Sequence, residues 1–195
     1  MTDQTYFEAL YLHSDDPWQL RARWYEQRKR AIVVASLPHP RFQRVFEPGC
    51  SIGELSAELA LRCDELIACD SQPTAVATAR ARLRDFPHAR VEHWTIPNDW
   101  PRATFDLIVV SELGYYFDDT DWTHTARCFA ASLRRGGALV AVHWRPDFTE
   151  RRLDSHTTHR RLADALQATA PCTHAVCHHE PEFLLDVWTT LDGVV

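Results

Sequence analysis

The sequence predicts an α/β fold in which a mostly parallel, doubly wound sheet carries helices on both faces. Three observations point to it. Short apolar runs alternate with segments of helical spacing along the whole chain of 195 residues. Two of those runs, Leu107-Ile108-Val109-Val110 and Leu139-Val140-Ala141-Val142, are unbroken, as suits strands buried on both faces. A turn with two glycines, Glu47-Pro48-Gly49-Cys50-Ser51-Ile52-Gly53, joins a strand candidate to a helix candidate.

Taken in order, Asp16-Pro17-Trp18 reads as a helix start, because Asp accepts free N–H groups and Pro suits the first turn. The helix should run to about Ser36, with Trp24, Tyr25, Arg28, Ile32 and Ala35 on one stripe, and end before Pro38 and Pro40. Arg44–Glu47 is the first strand candidate; Ser51 and Glu54 then have capping-box spacing before a helix carrying Leu55 and Leu59. Leu66–Cys69 is the second strand, stopped by Asp70, and Pro73 with Ala75, Val76, Ala79 and Leu83 announces another helix. Further strands are expected at Val91–Trp94, Phe105–Val110 and Ala138–Trp144, and helical material around Trp122–Leu133 ended by Gly136-Gly137. Leu153–Ala170 looks helical, and Thr173–His178 and Phe183–Thr190 look like two strands joined tightly across Glu180-Pro181-Glu182. There is no repeat, linker or low-complexity segment, so one domain is expected.

Composition narrows the function class. A formal net charge of -6 repels phosphate backbones on average, so nucleic acid is not expected as a partner. No apolar run approaches the roughly 18 residues of a membrane span, so no membrane partner is expected and a cytoplasmic location is. Cys50, Cys63, Cys69, Cys128, Cys172 and Cys177 form no Cys-x-x-Cys motif and read as reduced thiols.

Ligands of open α/β sheets sit outside the carboxyl ends of the strands, so the glycine turn is the first candidate site. Gly49 lets the backbone turn tightly against a ligand, and Gly53 lets the next helix pack closely. Asp70 ends the second strand, with Ser71 beside it, where a carboxylate can grip both ribose hydroxyls. Together they indicate an adenosine-containing cofactor. A nicotinamide cofactor and S-adenosyl-L-methionine both qualify, but the turn has two glycines four apart rather than Gly-x-Gly-x-x-Gly, and Glu47 would repel a pyrophosphate. The same carboxylate suits an ammonium group.

Glu47-x-Gly49-x-Ser51-x-Gly53 resembles the Glu/Asp-x-Gly-x-Gly-x-Gly motif of class I S-adenosylmethionine-dependent methyltransferases, and Leu133–Leu139 is similar to the family's Leu-x-Pro-Gly-Gly-x-Leu, with Ser51 and Arg135 as departures. Asp16-Pro17-Trp18, Tyr25–Arg30 and Phe105–Tyr116 resemble, more closely, the NodS-like group that N-methylates the amino sugar of rhizobial nodulation factors. The resemblance implies a single methyltransferase domain over residues 1–195 with a Rossmann-like, mostly parallel seven-stranded sheet and an antiparallel C-terminal strand. Residues 1–40 would form a helical cap over the cofactor. It also implies S-adenosyl-L-methionine as cofactor, a small-molecule acceptor, and a helix bearing Trp18, Tyr25 and Lys29 that folds over the methionine moiety. Thr95 and Ile96, just past the third strand, fall where the adenine edge is met.

Methyl transfer is an in-line displacement whose rate depends on alignment, on removal of the acceptor proton and on exclusion of water. Glu112, Tyr115 and Tyr116 follow the fourth strand, where the acceptor should meet the methyl group. Glu112 could orient or deprotonate an amine, or could equally be bonded to the backbone or the cofactor. His143 ends the fifth strand and could act as the base. Cys172, His174, Cys177, His178 and His179 are suitable zinc donors, but alternation along Thr173–His178 puts His174, Val176 and His178 on one face and Cys177 on the other, with Cys172 before the strand, so no metal is expected. Oxygen methylation of a small metabolite and a non-catalytic cofactor-binding partner are the competing readings. Neither an Asn/Asp-Pro-Pro-Tyr motif nor a Pro-Cys nucleophile follows the fourth strand, as base methylation would require.

Overall fold

Every strand expected from an apolar run is present in the computed structural model, which describes residues 4–191; residues 1–3 and 192–195 of the expected domain lie outside the described residues. The strands are β1 (Phe42–Pro48), β2 (Cys63–Asp70), β3 (Ala89–His93), β4 (Phe105–Ser111), β5 (Leu133–Trp144), β6 (Cys172–His179) and β7 (Phe183–Thr190). Their spatial order is β3-β2-β1-β4-β5-β7-β6, with β7 antiparallel to both neighbours and the other pairings parallel. The sheet reverses its winding between β1 and β4, and the crevice at that reversal is where a doubly wound sheet binds ligands.

The period of two along each strand divides the core between two faces. Val45, Leu66, Leu107, Val109, Val140 and Val187 pack on one face with α2 (Trp24–Ala35), α3 (Glu54–Ala60) and α4 (Pro73–Arg82). Phe46, Ile67, Ile108, Val110, Leu139 and Trp188 pack on the other with Trp122 and Phe129 of α5 (Asp119–Ser132) and Leu162 and Leu166 of α6 (Ser155–Thr169). Asp118 and Asp154 cap α5 and α6 by accepting the N–H of Asp121 and Thr157. No helix among the described residues is long and apolar enough to cross a membrane.

Four local expectations are corrected. The helix expected from Asp16 begins only at Trp24: Asp16 accepts the N–H groups of Leu20 and Arg21 in a turn, and Gln19 at φ +56° interrupts helical geometry. A separate helix, α1 (Gln4–His13), precedes it. Ser51 and Glu54 form no capping box, because left-handed Gly53 precedes α3 and Ser51 donates its N–H to Asp70. Helix α5 ends at Ser132, short of Gly136-Gly137, which lie inside β5. Finally, β6 does not alternate strictly. A register shift between His174 and Val176 against β7 turns His174 and Cys177 to the same side.

Gly114 sits in a 3-10 turn, Gly114–Tyr116, pressed against α5 and α6. A Cβ there would overlap Thr158 Cγ2 and lie 2.6 Å from Trp122 Cζ2. Gly114→Ala is therefore expected to destabilise the fold by about 1–3 kcal/mol through overpacking. Since Tm moves roughly 2–4 °C per kcal/mol at this size, a thermal melt reads the loss.

Candidate active site

The loop from β1 to α3 is held open by three left-handed residues: Gly49 (φ +70°), Ser51 (φ +50°) and Gly53 (φ +80°). Gly53 brings α3 against α4, since a Cβ there would lie 3.1 Å from Ala79 Cα; a Cβ on Gly49 would lie 3.0 Å from Leu113 Cδ1. Ser51 occupies a conformation that favours glycine and is fixed from two sides. Its N–H donates to Asp70 Oδ2 at 2.9 Å, and its Oγ lies 2.6 Å from the Tyr11 hydroxyl. Asp70 accepts the Gln72 N–H on its other oxygen at 2.9 Å. Burial raises the Asp70 carboxyl above its ordinary value, against the pull of these N–H groups.

Glu47 lies beneath the loop, buried, and accepts a hydrogen bond from Ser56 Oγ at 2.5 Å. Burial pushes its carboxyl up to about 8. Among the described residues no cation pairs with it, and a cationic ligand beside it would favour its charged form.

A cleft of about 390 Å³ opens over this loop, a volume in the range of small-molecule sites. Of the residues singled out in the sequence, Trp18, Tyr25, Lys29, Glu47, Gly49, Ser51, Asp70, Ser71, Thr95, Ile96, Glu112 and Tyr115 line it. Gly53 and His143 do not. Tyr11 and Trp18 pack edge to face at 5.7 Å over the loop. The amide nitrogen of Gln72, buried at the cleft wall, has no hydrogen-bond partner and is a donor left for a ligand. A cation receptor at one end and a carboxylate with backbone-anchored oxygens plus a spare amide donor at the other fit an amino acid joined to a nucleoside.

Glu112 closes the opposite end. It sits at φ +53° and accepts from Lys29 Nζ at 2.6 Å, the Tyr25 hydroxyl at 3.3 Å, the Tyr115 hydroxyl at 2.5 Å and the Trp144 N–H at 2.8 Å. Lys29 is buried and also pairs with Glu26 at 2.8 Å; burial works against its charge, but Glu112 and Glu26 raise its pKa above the ordinary value. Lys29 is thus committed to two carboxylates rather than extended toward a methionine carboxylate, and four donors occupy Glu112, leaving it a structural anchor rather than a base.

His143 is fully buried, and both ring nitrogens are used. Its Nε2 accepts the Gly114 N–H at 2.9 Å and its Nδ1 meets His159 Nε2 at 2.9 Å. It positions the loop after β4 and cannot reach an acceptor, which corrects its expected role as base.

Several lining residues gave no signal in the sequence. Tyr6 and Phe7 come from α1, which no turn or capping motif in the sequence announces, and Phe148 and Glu150 from the irregular segment after β5. Phe7, Tyr115 and Phe148 all pack around Tyr116, with ring centroids 4.8–5.7 Å from it. These rings form an aromatic chamber beside Glu112.

The sequence model of the nodulation protein S (NodS) family matches residues 7–148. Nodulation protein S of Sinorhizobium fredii is 33% identical over 119 residues, covering 59% of this chain and 54% of that protein. The chain spans about half the length of the curated relatives it matches first. Among solved structures, a candidate methyltransferase from Pseudomonas syringae is 47% identical, with a TM-score of 0.75 over 86% of this chain and 99% of the other. N-methyltransferase NodS from Bradyrhizobium japonicum, solved with S-adenosyl-L-homocysteine, has a TM-score of 0.81 at 25% identity, covering 97% of this chain and all of the other.

Lys29→Met leaves the buried Glu26 and the partly buried Glu112 without their cation. It is expected to cost about 3–5 kcal/mol of folding stability, the range for breaking a buried pair. Urea unfolding measures it; an unchanged midpoint would show that Lys29 does not anchor α2.

Proposed function

The chain belongs to the nodulation protein S family, and we propose that it uses S-adenosyl-L-methionine to methylate an amine nitrogen of a small molecule. The observation that carries the reading is the buried Glu47 carboxylate under the Gly49–Gly53 loop, with Asp70 and Gln72 on the same cleft. The cofactor's ammonium would neutralise Glu47, its ribose hydroxyls would meet Asp70, and Thr95 and Ile96 would border the adenine. The S-adenosyl-L-homocysteine bound in the Bradyrhizobium japonicum relative supports the same cofactor here.

When bound, the cofactor supplies a methyl group on a sulfonium that leaves as a neutral thioether. The protein's task is then to hold the acceptor in line and keep water out. Tyr115, Tyr116, Phe7 and Phe148 wall the acceptor side and present ring faces that attract a cationic centre. Among the described residues no histidine lines the cleft, and Glu112 is saturated with donors. That supports an amine, which attacks through its own lone pair once neutral, over a hydroxyl, which needs a strong base in place. Glu150 lies on the same rim beside Tyr6, where its carboxylate would face the positive charge that develops on the amine, and the methylated ammonium loses its proton to solvent on release. Six free cysteines suit a reducing cytoplasm.

The test is methyl transfer by the purified chain to matched amine and hydroxyl compounds, read as S-adenosyl-L-homocysteine formed. Amines, amino sugars among them, should turn over. Absence of cofactor binding by calorimetry would sink the cofactor assignment, and preferential methylation of hydroxyls the amine assignment.

Glu47 gives a separate test. With its carboxyl up at about 8, it carries a proton in the free protein at neutral pH. An ammonium beside it favours the carboxylate, so binding expels that proton and affinity rises with pH, by up to about tenfold per unit below pH 8. Calorimetry with S-adenosyl-L-homocysteine in buffers of different ionisation enthalpy measures the release, and Glu47→Gln should abolish it.

A further inference from the structure

We propose that the chain carries a transition-metal site, suited to zinc, on the β6–β7 edge of the sheet, with His174, Cys177 and Asp186 as ligands. One donor atom from each lies within 4.8 Å of the others. The bulge in β6 creates the grouping: the extra residue shifts the alternation so that His174 and Cys177, three apart, share one side, and Cys177 pairs directly with Asp186. Val176 and His178 go to the other side, where His178 stacks on Phe183.

The donors are prepared as metal ligands are elsewhere. Asp186 is buried, and its Oδ2 accepts from His159 Nδ1 at 2.6 Å, so an imidazole behind it fixes the carboxylate. Its Oδ1 faces outward to His174 Nε2 at 2.6 Å, the contact a metal ion would replace. The His174 ring is stacked on Trp188 with centroids 5.3 Å apart, which sets its plane. His174 and Cys177 are exposed on an edge strand, so an ion has a path in. His179 Nε2 lies 3.2 Å from Cys177 Sγ on the same strand, and water would complete the coordination of the ion.

The chemistry selects the ion. Imidazole, thiolate and carboxylate in a tetrahedral set suit zinc, whereas magnesium and calcium require oxygen donors. Zinc–ligand bonds of about 2.0–2.3 Å place the donors roughly 3.5 Å apart, so the ligands need to draw in by about an ångström. On binding, the Cys177 thiol gives its proton to solvent, and the proton that His174 Nε2 donates to Asp186 Oδ1 leaves so that Nε2 can ligate, with the ring's remaining proton on Nδ1. No oxidant or reductant is involved.

The test is titration of zinc into the metal-free full chain against a chromophoric chelator, with cobalt as the spectroscopic stand-in. One ion per chain should bind, and cobalt should give a thiolate charge-transfer band and tetrahedral d–d bands. Cys177→Ser should erase the thiolate band and weaken zinc at least about tenfold, and His174→Ala should weaken it comparably. Both residues are exposed, so both variants should fold. Cys128→Ser, which changes a thiol on α5, should leave binding unchanged. Failure of zinc to saturate, an unaltered band in Cys177→Ser, loss of binding in Cys128→Ser, or equal competition by magnesium would each overturn the site.

Discussion

The carboxylate of Glu112 holds the cleft together. It collects a buried ammonium and a phenol from α2, a second phenol from the turn after β4, and a backbone N–H from β5. The positive φ of Glu112 costs roughly 1–3 kcal/mol. Hydrogen bonds to a charged group contribute about 1.5–3 kcal/mol each, so four of them outweigh the strain. Without this junction α2 would keep Val33 in the core at its far end, and at the cleft it would be held by the Tyr25 ring against Trp144 and Phe183 and by the Arg28–Glu180 pair. With both carboxylate oxygens taken by these donors, Glu112 is committed to holding the cleft together.

Electrostatics also explains how two acids sit beside one loop. Asp70 accepts the N–H groups of Ser51 and Gln72, so its charge is partly answered by backbone dipoles before any ligand arrives. Glu47 has one hydroxyl donor and full burial, so it stays protonated. The loop is therefore asymmetric: burial raises both carboxyls, but two backbone N–H groups favour the charged form of Asp70 whereas Glu47 has a single hydroxyl donor. Ser51 is part of that asymmetry, because its side chain ties the loop to Tyr11 while its N–H orients Asp70.

The sheet was legible in the sequence because burial on both faces leaves unbroken apolar runs, as in Leu107–Val110 and Leu139–Val142, whereas the apolar run Ala31–Ala35 continues a segment of helical spacing and is helical. Glu47, Gly49 and Asp70 were legible because the strand ends place them by topology. What stayed hidden depends on single backbone torsions and long-range pairing. Gln19 turns Asp16 from a helix cap into a turn residue, and no composition rule announces a positive φ at glutamine. The role of His143 is decided by two groups distant in sequence, Gly114 and His159. The face carried by Cys177 is decided by a one-residue bulge, and shifting a strand by one residue exchanges every side chain that follows.

The hidden histidines form a chain whose direction is fixed at one end. The Gly114 N–H can only donate, so His143 Nε2 must accept and its proton sits on Nδ1. That proton is donated to His159 Nε2, which leaves His159 with its proton on Nδ1, directed at Asp186. Each ring has one nitrogen that accepts, so each carries a single proton and the sequence of donors is unique; burial, which lowers the pKa of both imidazoles, acts in the same direction. Asp186 accordingly receives a hydrogen bond from inside the protein on one oxygen while the other faces the surface at His174. A backbone N–H beside the cleft thereby sets the orientation of a carboxylate at the far edge of the sheet, through two rings with no freedom to reverse.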